Sequence, residues 1–228
     1  LTQAKALDKR LKEDGKRIYN LGAICVSNDK LDVAIKCYEY VLTKGKDGNY
    51  YIQSRQELLN VRYKKIITRG DFKLSEIREL EKNYLAALTP TELGKNSSTV
   101  ILMKNLAHLE AFYLNNLDTA SILLDEAINM PGVSETNQAD CKLEMADILL
   151  MTGDVWEASL YYSQVEKAFK DDPIGHEAKL RNAKLSYYIG DFKWAQSQLT
   201  VLKGATTKLI ANDAMELSIL ISDNSHEG

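Results

Sequence analysis

The chain has 228 residues, 45% of them hydrophobic and 27% charged, which is enough apolar side chain to bury a core and too much for a disordered chain. Its 29 basic and 32 acidic residues give a formal charge of -3 with no lysine- and arginine-rich block, so nothing in it points to nucleic acid. No apolar run approaches the roughly 20 residues that span a bilayer, and Cys25, Cys37 and Cys141 lie too far apart for a zinc pair or a disulfide framework.

No stretch alternates apolar and polar residues over several positions, so the regular structure is expected to be helical. In chain order, the apolar spacing predicts about eleven helices. They run near 3–27, which could break at Gly15, then 30–44, 51–68, 73–88, 97–114, 117–129, 134–151, 155–170, 173–189, 192–203 and 205–222. Pro131 and Pro173 fall after predicted helices and stop them.

A short corner returns between these segments: Asn28-Asp29-Lys30, Arg69-Gly70-Asp71, Asn115-Asn116-Leu117, Gly153-Asp154 and Gly190-Asp191. With Asp29, Gly70, Asn115, Gly153 and Gly190 taken as equivalent, the intervals are 41, 45, 38 and 37 residues. Such intervals indicate one helix pair repeated with loop insertions. Five positions past each corner stands a small residue, Ala34, Ser75, Ala120, Ala158 or Ala195, where two helices would cross most closely. Large residues follow four positions later at Tyr38, Leu124, Tyr162 and Leu199, and then Val41, Ala127, Val165 and Leu202 complete one buried face. Before the corner, Leu21-Gly22 with Cys25 and Met145-Ala146 with Leu149 give the matching pattern of the first helix. Two departures stand out: Glu79 and Lys82 replace the apolar pair in 51–90, and His108 takes the place of a small residue in 97–131.

These residues resemble tetratricopeptide repeats (TPR) over nearly the whole chain. The resemblance implies an all-α, right-handed α-α superhelix forming one domain, 1–228, with units near 15–48, 51–90, 97–131, 134–173 and 174–203 and a final helix at 205–222. It also implies a non-catalytic scaffold whose concave groove binds a protein or peptide. A carbohydrate- or lipid-associated accessory module of the cell envelope is the alternative, because aromatic side chains on a helical scaffold also stack on sugars. Pro173 to Asn224 is similar to a Bacteroidetes-type group of larger TPR proteins of unassigned function, which implies an exported protein with further repeats.

In this fold the residues ten, nine, six, three and two before each corner line the groove. They include Tyr19, Asn20, Asn60, Lys64, Asn105, Phe112, Tyr113, Leu143, Asp147, Arg181, Lys184, Tyr187 and Tyr188. Tyr113 and Tyr188 fall one residue past the buried stripe and are expected to be exposed. Arg181 and Lys184 among aromatic rings suit a partner segment bearing carboxylates and an apolar anchor. The clamp by which some TPR proteins hold a C-terminal carboxylate needs Lys and Asn where this chain has Leu143, Asp147, Glu177 and Arg181, so the clamp is absent.

Other motifs read as structure. Arg69-Gly70-Asp71 spells an integrin tripeptide but sits at a repeat corner, with the aspartate expected to start the next helix. Gly94-Lys95-Asn96-Ser97 lacks the strand and upstream glycine of a phosphate loop, and Asn96-Ser97-Ser98 is a glycosylation triplet that matters only in a secretory pathway. His108, His176 and His226 are scattered, no catalytic elbow is present, and no metal, cofactor or catalytic residue is expected. The apolar stripe Leu209, Ile210, Ala214, Met215, Leu217 and Ile221 near the end has no polar cap after it, so the final helix is expected to pack on further chain or on a second copy.

Overall fold

The structure, a computed structural model, describes residues 1–205 and 207–224; His226 lies outside the described residues. Among the described residues all regular structure is helical, in twelve α-helices and one π-turn. The first predicted helix is two, α1 (Thr2–Leu11) and α2 (Lys16–Ser27), broken at Gly15. Next come α3 (Leu31–Leu42), α4 (Tyr51–Arg69), α5 (Leu74–Ala87) and α6 (Val100–His108), with the π-turn at Leu109–Tyr113. The chain continues through α7 (Leu117–Ile128), α8 (Glu135–Thr152), α9 (Val155–Ala168), α10 (Pro173–Tyr188), α11 (Phe192–Ala205) and α12 (Lys208–Asn224).

The five corners share one backbone feature: Asp29, Gly70, Asn115, Gly153 and Gly190 all have positive φ, from 54° at Asn115 to 88° at Gly153. A left-handed residue after the helix lets the next amide turn back onto a free carbonyl of the last turn. The bonds are Lys30 N–H to Cys25 O (2.8 Å), Asp154 N–H to Leu149 O (2.9 Å) and Asp191 N–H to Ser186 O (2.9 Å). Asparagine and aspartate adopt this conformation more readily than other side chains, which explains why they substitute for glycine here.

Two expectations of register are corrected. At the third corner Asn116 N–H reaches Glu110 O (2.7 Å), one residue further back than elsewhere, because Leu114 N–H bonds Leu109 O across a π-turn. The turn absorbs one extra residue, so the small slot belongs to Ala107, fully buried, and not to His108. In the second unit Ser75 is exposed and is not a close-packing residue. There α5 starts four positions after Gly70, whereas the other second helices start two positions after their corners. Its N-terminus is capped at Lys73, whose N–H donates to Glu76 Oε2 (2.9 Å), so Asp71 does not begin the helix. The buried stripe is Ile77, Leu80, Tyr84 and Ala87, and Leu80, Tyr84 and Ala87 repeat the spacing of Ala34, Tyr38 and Val41. Glu79 and Lys82 therefore lie on the solvent side and leave no gap in the core.

The chain divides into two compact units, Leu1–Leu123 and Leu124–Gly228. In the N-terminal unit, Ile18, Cys37, Tyr40 and Val41 form one cluster with Leu1 and Ala4 of the α1 region packed on it, and Ala34, Tyr38, Leu58 and Val61 form another. Asp8 is fully buried and ties α1 down, accepting from the Tyr40 hydroxyl (2.9 Å) and pairing with Lys44 Nζ (2.5 Å). In the C-terminal unit, Ala146, Ala158, Tyr162, Val165 and Ala178 join α8, α9 and α10. Leu180, Ala183, Ala195, Leu199 and Ile210 join α10, α11 and α12.

Candidate binding surface

The site residues of the N-terminal unit are mostly engaged. Tyr19 packs between Tyr38 and Tyr50, with ring centroids 5.7 and 5.4 Å away. Asn105 is buried and donates to Asn60 Oδ1 (3.2 Å) and to the Tyr84 hydroxyl (3.4 Å), so both amides belong to a packed polar contact. Lys64 pairs with Asp29 (3.1 Å), and Asn20 is exposed. Phe112 is 41% exposed and lies against His108, whereas Tyr113 is half-buried against Phe72 (4.8 Å) and His108 (5.7 Å). The expected exposure of Tyr113 is thus corrected. Phe112 and Tyr113 lie in the π-turn, whose wider winding shifts them around the helix axis and puts Phe112, not Tyr113, on the solvent side. A cleft in this unit, lined by Arg62, Lys65, Arg69 and Glu76 among others, has no spare cation, because Arg62 pairs with Glu39, Lys65 with Asp32 and Arg69 with Glu76. Arg69 also holds Asp71 (2.7 Å), which fixes the Arg-Gly-Asp tripeptide as part of the corner.

In the C-terminal unit α8, α10 and α12 share a face. Asp147 on α8 and Arg181 on α10 meet at 2.6 Å, and Arg181 is also held by Glu177 at 2.9 Å. The places a carboxylate clamp would use therefore close on each other, and Arg181 is not a free cation for a ligand. Asp147 further accepts from the Tyr162 hydroxyl (2.5 Å). Burial raises the Asp147 carboxyl above its ordinary value, opposed by the Arg181 charge and the Tyr162 hydrogen bond.

Beyond Arg181, an open groove of about 490 Å3 runs between α10 and α12, lined by Lys184, Tyr187, Tyr188, Asp213, Glu216, Leu217 and Leu220. Tyr188 stands 80% exposed at its edge, with Tyr187 edge-on to it at 5.5 Å. Lys184 and Asp213 face each other loosely at 3.7 Å, both half-buried, and Leu220 is 45% exposed. The stripe on α12 is split between two sides. Ile210, Ala214 and Ile221 are buried against α10 and α11 while Leu209 and Met215 are exposed, so part of the face expected to await a partner is already covered.

No protein-family model and no curated protein sequence matches the chain. In structure it is similar to a thermophilic TPR protein from Thermus thermophilus, with a TM-score of 0.58 at 16% identity over 92% of this chain and 97% of that one. It is also similar to YrrB, a TPR protein with an unusual peptide-binding site, with a TM-score of 0.55 at 16% identity over 97% of each chain. The chain is an α-α solenoid with the TPR fold.

Asp213, Glu216 and Leu220 escaped the sequence reading of the TPR groove because no corner follows α12 from which to count back. Their signal was the polar-apolar order of that last helix. The exposure of Trp156 (90%) and Trp194 (57%) on second helices also had no counterpart in the pattern. Among the described residues no helix is long and apolar enough to cross a membrane, and no group of three or more His, Cys, Asp or Glu is placed to hold a metal.

Proposed function

We propose that the chain is a non-catalytic scaffold that binds a protein or peptide segment on the face shared by α8, α10 and α12. The observation that carries this is the open α10–α12 groove with Tyr188 at its edge, 80% exposed. A large ring left in solvent beside half-covered leucines is the kind of anchor that supplies most of the energy of a protein contact. The peptide-binding site named for YrrB, on a similar fold, supports the same class of partner. The N-terminal unit is the poorer candidate, since the Asn60–Asn105 contact and the packing of Tyr19 and Tyr113 occupy its first-helix side chains.

Selection of a random peptide library on the chain tests the proposal. Tyr188→Ala should weaken the selected peptides by about 1–3 kcal/mol, whereas Leu160→Ala, at an exposed position on α9, should leave them unchanged. Peptides sensitive to Leu160→Ala and indifferent to Tyr188→Ala would place binding on the second helices and remove the groove from consideration.

A further inference from the structure

We propose that the occupant of the α10–α12 groove is a basic, apolar-anchored segment of a partner protein, rich in lysine or arginine, and not an acidic one. The inference rests on the docking reading above and specifies its chemistry. It reverses the partner suggested by Arg181 and Lys184 taken from the sequence alone.

Internal pairing leaves negative charge over on this face. Arg181 is engaged by Asp147 and Glu177, each within 2.9 Å, and so presents no net positive charge to a ligand. Lys184 is matched by Asp213. Glu216 lines the same groove, is exposed, and has no ion-pair partner among the described residues. In the Arg181 cluster and the groove beside it, four carboxylates, Asp147, Glu177, Asp213 and Glu216, stand against two cations, Arg181 and Lys184. The residual charge of these groups is negative, and the walls supplied by Tyr187, Tyr188, Leu217 and Leu220 limit its screening by water.

The aromatic wall agrees with the sign. The face of a tyrosine ring is electron-rich, and a lysine or arginine head lying over Tyr188 would meet that face while reaching the carboxylate of Glu216 or Asp213. Leu217, half-buried, and Leu220, half-exposed, then take an apolar side chain one or two positions along the segment. An incoming carboxylate has no comparable site, since the one cation of the groove, Lys184, already stands beside Asp213 and the newcomer would also lie near Glu216.

The experiment uses the whole chain and the library-selected peptides. The expected result is enrichment of lysine and arginine beside leucine or aromatic residues, binding that weakens with added salt, and a loss of about tenfold or more in affinity in the double variant Asp213→Asn, Glu216→Gln. Glu216 is exposed and Asp213 half-exposed, so an unchanged melting temperature confirms that the variant reports on binding. Selected peptides that are acidic or neutral, or an affinity indifferent to the double variant while still lost in Tyr188→Ala, overturn the basic-segment inference and leave the docking reading standing. Binding indifferent to Tyr188→Ala removes both. A dimer by light scattering that Tyr188→Ala converts to monomer would place a second copy on the groove and likewise overturn the proposal.

Discussion

Single residues carry the repeat because each of its two critical places has a steric reason. The corner needs a left-handed backbone, met by Gly153 and Gly190 and equally by Asp29 and Asn115. The crossing point needs a side chain that lets two helices touch. A Cβ on Gly22 would lie 2.8 Å from Tyr38 Cε1 and 3.3 Å from Cys37 Cβ, and Ala158 and Ala195 are fully buried. Gly22→Ala and Ala158→Leu should therefore each lower stability by about 1–3 kcal/mol through overpacking, read as a fall in denaturant midpoint without a change in slope. Unchanged midpoints in both would mean that these helices are not in contact where the repeat puts them. Most of this scale was legible in the sequence, because small residues and turn formers recur at fixed offsets. The use of Arg181 was not, since a sequence shows a charge but not the Asp147 and Glu177 that neutralise it. Replacing Arg181 would strand two half-buried carboxylates, so its loss reports on folding as well as on binding.

At the scale of elements, helix register was readable wherever spacing was regular and failed where one residue was added. The π-turn displaced the small slot from His108 to Ala107 and turned Tyr113 inward, and the long entry to α5 moved its buried stripe off Ser75. Neither insertion leaves a mark in composition, because each changes only how many residues the backbone uses in a turn. The π-turn carries a chemical consequence of its own. Glu110 within it is 2% exposed, and Asn116 Nδ2 donates to its Oε2 (3.0 Å). Burial raises the Glu110 carboxyl above the ordinary glutamate value, the Asn116 hydrogen bond opposes this, and the neighbouring Glu81 adds to it while Arg78 opposes. A carboxyl raised on folding binds its proton more tightly in the folded chain than in the unfolded one. Its contribution is therefore fully present below the unfolded value, about 4.3 for glutamate, and is lost as pH rises through the folded value. Glu110→Gln keeps the shape and removes this dependence. The variant should gain in melting temperature relative to wild type on going from acid to neutral pH, and a constant difference across that range would contradict the assignment.

At the scale of the molecule, the C-terminal unit joins helices to their neighbours in sequence through successive clusters, with Ala178 in one cluster and Ala183 of the same helix in the next. Chains built this way gain stability from intrinsic terms and nearest-neighbour interfaces, so damage spreads over a limited distance. Leu199 is fully buried in the α10–α12 cluster. Leu199→Ala should cost about 2–5 kcal/mol there, as lost transfer energy plus a cavity. Native-state hydrogen exchange should then show α10, α11 and α12 losing protection while α2 and α3, whose core is built from Ile18, Cys37 and Tyr38, keep theirs. The reciprocal variant Leu58→Ala, in the N-terminal cluster, should reverse the pattern. An equal loss in both places for either variant would mean that the 228 residues open in one cooperative step. The groove would then be only as mobile as the whole chain, whereas local opening lets α12 adjust over a partner at a cost below that of global unfolding.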